Sequence, residues 1–134
     1  MDMLKQFDSA NGAYARAQNM YKEEAGKNID PEVLGNIQFR YGWSLIRSRK
    51  DINYGIQQLE NANKNLPENV DLKIKLSQIY LQEKQEVKKA IEIIDSATTL
   101  EPDNVDALLL KGKLLIKEKM SKEAIEVVEK ALLL

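Results

Sequence analysis

The stretch Leu-Pro-Glu-Asn-Val-Asp at 66–71 returns as Glu-Pro-Asp-Asn-Val-Asp at 101–106, and this recurrence constrains the fold more than any other feature of the chain. Pro67 and Pro102 lie 35 residues apart, as do Asn69 and Asn104. Gly55-Ile56, Ala90-Ile91 and Ala124-Ile125 recur at steps of 35 and 34, and Ala62, Ala97 and Ala131 recur at the same steps. Gly42, Ser77 and Gly112 follow at 35 and 35. Small residues returning in one register mark the points where paired helices touch. A repeat of this length is one helix-turn-helix unit, which buries its apolar face by stacking on a neighbour. The organisation expected is a single helical-repeat domain over 1–134. An N-terminal arm and helix occupy 1–30, and three repeats occupy 31–69, 70–104 and 105–134. The small residues of the two paired helices are 13 apart in the first two repeats and 12 apart in the third. The extra residue is expected in the turn between the helices.

Composition narrows the chemistry. The 134 residues carry a net charge of −1, so no global basic field exists to hold nucleic acid. Cysteine and histidine are both absent, which removes thiolate catalysis, disulfides, sulfur-ligated metals and the commonest general base. The acidic residues are scattered over helix caps and exposed positions, and no phosphate-binding glycine loop or nucleophile-base set occurs. The expectation is therefore a non-enzyme that needs no cofactor and no metal. The longest apolar runs, at 108–110 and 132–134, are far too short to span a bilayer. The first residues do not form a signal peptide.

Local signals place the helices. Met1 to Phe7 reads as a short arm carrying Leu4 and Phe7, with Asp8 or Ser9 capping a helix that runs to about Ala25. Its expected apolar stripe is Ala10, Ala13, Tyr14, Ala17, Met20 and Tyr21, and Gly26 suits the residue just past its end. Asp30-Pro31-Glu32 reads as N-cap, proline at the first helical position and an acid in the first turn. That helix continues to about Ser48. Asp51 caps the next, from Ile52 to about Asn65, which ends at Leu66-Pro67. The last helix covers 122–134.

A unit of about 34 residues with this pattern of small residues resembles the tetratricopeptide repeat (TPR) family. The resemblance rests on Ala90, Ala97, Leu100 and Pro102, then on Gly112, Ala124 and Ala131. It implies an all-α, right-handed superhelix of about seven antiparallel helices. The first repeat points to a narrower family. The run Asn-Ile-Gln-Phe-Arg-Tyr-Gly-Trp-Ser-Leu-Ile-Arg-Ser at 36–48, followed by Gly55, Ile56 and Leu59, resembles the first repeat of the mitochondrial fission adaptors (Fis family). Gly42 stands where that family has alanine, and Gly55 where most tetratricopeptide repeats have alanine. The resemblance covers about residues 14–118. It implies an adaptor that recruits dynamin-related GTPase machinery at the cytosolic face of the mitochondrial, and also the peroxisomal, outer membrane. Members of that family carry a membrane tail, and this chain has an amphipathic helix in its place. The alternative is a soluble scaffold or co-chaperone-type peptide-binding module of the same repeat class, unrelated to fission.

Counting outward from Gly42, Ser77 and Gly112 gives the residues expected to line the hollow of the superhelix. They are Phe39, Trp43 and Ile46 in the first repeat, Ile74, Gln78 and Leu81 in the second, and Leu109, Lys113 and Ile116 in the third, with Arg47 and Lys117 nearby. An apolar floor with cations beside it suits the amphipathic helix of a partner protein that is apolar on one face and acidic on its flank. A core packed against the first helix or the arm is the competing expectation, and for Trp43 alone it is the stronger. Arg40, Arg47, Arg49 and Lys50 form a basic cluster, read as cations at a helix C-terminus. On the final helix Ala124 and Ala131 are expected to face their own unit, while Ile125, Val127, Val128 and Leu132 to Leu134 leave an apolar surface, so the expectation is either a native chain that continues or a homodimer through 120–134.

Overall fold

In the computed structural model, the backbone is described from Met3 to Leu134, with the side chains of Gln6 and of residues 8–134. The described residues are all-α, 81% helical and without a strand. The chain falls into two compact units that divide between Pro67 and Glu68. The first holds α1 (Met3–Ala25), α2 (Pro31–Arg47) and α3 (Ile52–Asn65). The second holds α4 (Val70–Ile79), which runs on as a π-helical segment over Tyr80–Lys84, then α5 (Val87–Leu100), α6 (Val105–Lys117) and α7 (Ser121–Leu132).

Side-chain caps start the first helix of each pair. Asp30 accepts from the Glu32 N–H, and Asn69 and Asn104 accept from the N–H groups of Leu72 and Ala107. Each such cap stabilises its helix by about 1 kcal/mol. The recurring Asn-Val-Asp is therefore a capping residue with the first turn of its helix, and Asp71 and Asp106 add the acid that the helix dipole favours there. Asp51 caps α3 through the Tyr54 N–H, whereas α5 and α7 begin without a side-chain cap.

The cores are built on the repeated small residues. A Cβ added to Gly42 would lie 2.7 Å from the Gly55 carbonyl oxygen, and α2 and α3 close over Leu45, Ile46, Ile56, Leu59 and Ala62. In the second unit Leu72, Leu76, Ile94, Ala97, Leu114, Leu115, Ala124 and Ala131 are buried.

Three sequence expectations are corrected. Met3 to Phe7 are already helical, so Asp8 and Ser9 lie inside α1 rather than at its cap. Met1, Asp2 and the side chains of Leu4 and Phe7 are outside the described residues. The inward face of α1 is polar: Asn11 and Gln18 are buried, while Ala13, Ala17 and Met20 are exposed. Hydrogen bonds are the reason, since Asn11 Nδ2 donates to Ser48 Oγ at 3.1 Å and Gln18 Nε2 donates to Gln58 Oε1 at 3.2 Å. The third correction concerns the extra residue. Each first helix ends on a left-handed residue: Arg49, Gln85 and Lys119. In the first repeat the extra residue follows Arg49, in the turn as expected. In the second it precedes Gln85, inside the helix, and the π-helical segment absorbs it.

Candidate binding face

The expected lining residues meet different fates. In the first unit Phe39 and Trp43 are half-buried on α2, and the Arg47 guanidinium lies 5.7 Å from the Trp43 ring centroid. Ile46 is buried, because the missing side chain of Gly55 leaves room for it; a Cβ built there would lie 2.7 Å from Ile46 Cγ1. Tyr41 faces α3 and meets Tyr54 edge to face, with ring centroids 5.8 Å apart. Burial, with Tyr54 and Asp51 close by, pushes the Tyr41 phenol above its ordinary value.

In the second unit Ile74 and Gln78 are half-buried on α4. Leu109, Lys113 and Ile116 share one face of α6, and Leu109 and Ile116 are 42% and 59% exposed. The opposite face of α6 is core, with Ala107, Leu108, Leu110, Leu114 and Leu115 buried. A hollow of about 440 Å³ lies beside this face, lined by Leu81, Gln82, Gln85, Val87, Lys113 and Lys117. It brings Leu81 and Lys113 together, as expected from the repeat register, and draws in Lys117. Gln82, Gln85 and Val87 were not foreseen. The 13-residue spacing between Ser77 and Ala90 was the available signal, but a spacing does not say where the added residue goes.

The π-helical segment shapes this hollow. Its first residue, Tyr80, is held from two sides. Its side chain is buried with the Lys89 ammonium 4.6 Å from the ring centroid, and its carbonyl accepts from the Gln85 and Glu86 N–H groups. The latter bond spans six residues. The matching bonds in the other repeats, from Lys50 to the Leu45 carbonyl and from Met120 to the Leu115 carbonyl, span five. The added residue is therefore confined between Tyr80 and Gln85. Elsewhere in the unit lysines are paired: Lys75 with Asp71 at 2.8 Å and Lys111 with Asp95 at 3.0 Å. Lys73 is buried on α4, and burial pushes its ammonium below the ordinary lysine value. Among the described residues no helix is long and apolar enough to cross a membrane.

No family model matches the chain, and neither does any curated protein. Solved structures of MamA, a TPR-like helical repeat protein, are similar in fold. The MamA RS-1 ArsTM double mutant superposes with a TM-score of 0.67 at 20% identity, over 90% of this chain and 65% of that one. A crystal structure of MamA gives 0.66 at 18% identity, over 98% of this chain and 94% of its own. Another MamA crystal structure gives 0.65 at 20% identity, over 97% and 72%. The chain thus spans just under two thirds of the first of these proteins. At these identities the likeness concerns the fold, and the fold is TPR-like and all-helical.

Proposed function

We propose that this chain is a non-catalytic protein-binding module. A segment of a partner protein lies on the exposed face of α6 and against the adjoining end of α4. The observation that carries this reading is the exposure of Leu109 and Ile116 on one α6 face, with Lys113 between them. An exposed apolar stripe bordered by cations fits the apolar face and acidic flank of an amphipathic helix. The TPR-like fold supports a scaffold role, because stacked helix pairs present extended faces for contact. The test is capture of partners by the wild-type chain beside a Leu109→Glu, Ile116→Glu double variant. Both positions are exposed, so the variant is expected to melt like the wild type and to lose the captured proteins. Equal capture by both would overturn the reading.

A finer reading is the cytosolic domain of a fission adaptor that recruits dynamin-related GTPase machinery. Its support is the α2 run Tyr41, Trp43, Leu45, Arg47 and Ser48, with Gly55, Ile56 and Leu59 on α3. Of these, Gly55 and Leu59 meet Gly42 where α2 and α3 approach, and Tyr41 meets Tyr54 of α3. This reading would place the full-length protein on the mitochondrial or peroxisomal outer membrane. Imaging of the tagged full-length protein, with co-precipitation of the GTPase, tests it. A diffuse cytosolic signal without the GTPase would leave the scaffold reading, which is the one the MamA likeness favours.

A further inference from the structure

Building on the proposed α6 binding face, we infer that the added residue of the second repeat creates a socket for one aliphatic side chain flanked by carboxylates, presented by a short acidic segment of a partner protein. In the repeats on either side, the left-handed residue follows the small residue by seven positions, from Gly42 to Arg49 and from Gly112 to Lys119. From Ser77 to Gln85 the count is eight. With Tyr80 pinned by burial and by its carbonyl bonds, the surplus is taken up over the next residues, and Leu81, Gln82 and Gln85 all line the hollow. A π-helical turn of this kind is rare and clusters at functional sites.

The walls specify the occupant. Leu81 and Val87 give an apolar floor, and about 440 Å³ is small for a ligand cleft, whose range is roughly 300–1,000 Å³. Lys113 and Lys117 stand one turn apart on α6, and no carboxylate lines the hollow. Neither lysine has an ion-pair partner among the described residues, whereas Lys111 on the same helix is paired with Asp95. Like charges four apart on a helix repel, and a carboxylate placed between them relieves that repulsion. Gln82 and Gln85 supply amide donors and acceptors for the backbone of the entering segment.

The test uses the whole chain and three labelled synthetic peptides read by fluorescence anisotropy. The first peptide has one leucine flanked by aspartates. The second replaces its aspartates with asparagines, and the third replaces its leucine with serine. The first peptide is expected to bind, and each of the other two to bind about tenfold more weakly. A Lys113→Glu, Lys117→Glu double variant is expected to lose about tenfold in affinity for the first peptide with its melting curve unchanged. Both lysines are exposed, so folding is not at risk. No binding of the first peptide, equal binding of all three, or equal binding by the charge-reversed variant would each overturn the socket. Partners lost from the Leu109→Glu, Ile116→Glu variant but retained by the charge-reversed one would overturn the socket while leaving the binding-module reading intact.

Discussion

Ser77 Oγ donates a hydrogen bond of 2.8 Å to the carbonyl of Ala90, across the close contact between α4 and α5. At the matching place in the first repeat, Gly42 faces the Gly55 carbonyl. In the third, Gly112 faces Ala124, with its hypothetical Cβ 3.7 Å from that carbonyl oxygen. One backbone approach is thus met in two ways, by removing the side chain or by using a hydroxyl small enough to bond the facing carbonyl.

The two solutions are not interchangeable, and the cost of exchanging them differs by repeat. Gly42→Ala drives a methyl to 2.7 Å from a backbone oxygen, which cannot rotate away. Gly112→Ala meets Val128 Cγ2 at 2.6 Å, a side-chain atom that can turn aside. Overpacking of this kind costs roughly 1–3 kcal/mol, and Gly42→Ala is expected at the upper end and Gly112→Ala at the lower. Ser77→Ala removes one buried hydrogen bond, for a loss of about 1 kcal/mol. Urea unfolding of the three variants ranks them; a Gly112→Ala loss larger than that of Gly42→Ala would contradict this geometry.

The π-helical segment yields a second prediction. Deleting Gln82 restores the 12-residue spacing that the third repeat already uses between Gly112 and Ala124. The helix can then run regularly from Val70 to its left-handed end. Stability is expected to change by less than about 1 kcal/mol, because a regular turn replaces a π-turn with little loss of core. Backbone amide exchange over 80–86 is expected to slow, as the π-turn becomes ordinary helix. A deletion variant that fails to fold would mean that the segment is needed to close α4 onto α5.

Lys73 makes stability depend on pH. Its folded pKa is depressed by burial below the ordinary 10.5, so the unfolded chain holds the proton more tightly. Between the folded value and 10.5 the unfolded state binds more protons, and stability therefore rises with pH across that window. At neutral pH the proton on Lys73 therefore lowers stability relative to the neutral amine. Lys73→Met is expected to raise the urea midpoint at pH 7, and the gain should shrink to nothing above the unfolded value. A variant less stable than wild type at pH 7 would show that the ammonium is a net asset where it lies.

Much of the fold was legible because its signals are local. Asp30-Pro31 and Asp51 announce helix starts through their own backbone neighbours, and the 35-residue recurrence of Gly42, Ser77 and Gly112 gave the register of the pairs. Two features were hidden because they depend on partners far along the chain. Alanines and methionine on α1 suggested an apolar inner face, yet Asn11 and Gln18 face inward because Ser48 and Gln58 await them. A spacing of 13 residues occurs in both of the first two repeats, yet one spends the extra residue after the left-handed turn and the other before it. The same divide runs through the candidate site. The shared face of Leu109, Lys113 and Ile116 was legible by counting outward from Gly112 in the repeat register, whereas Ile46 fills the space beside Gly55, and Gln82, Gln85 and Val87 reach the hollow only through the π-turn.

The final helix carries the last prediction. Ala124 and Ala131 of α7 are buried against its own unit, while Ile125 and Leu132, one heptad apart, are 57% and 76% exposed, and Leu133 is 88% exposed. Val127 and Val128 are half-buried at the edge of that surface. An apolar stripe this open is unfavourable in water, and pairing with a second copy is the simplest way to cover it, since isologous dimers are the commonest assemblies. The helix has only 12 residues, so a contact limited to it buries less than the roughly 1,200 Å² of a stable complex. The expected dimer is therefore weak and fills only at high protein concentration. Sedimentation velocity across a concentration series should show the weight-average coefficient rising. An Ile125→Lys, Leu132→Lys double variant should flatten that rise without lowering the melting temperature, because both side chains lie outside the core. A wild-type chain that stays monomeric at the highest concentration would rule out the dimer and leave the stripe as a seat for a different partner.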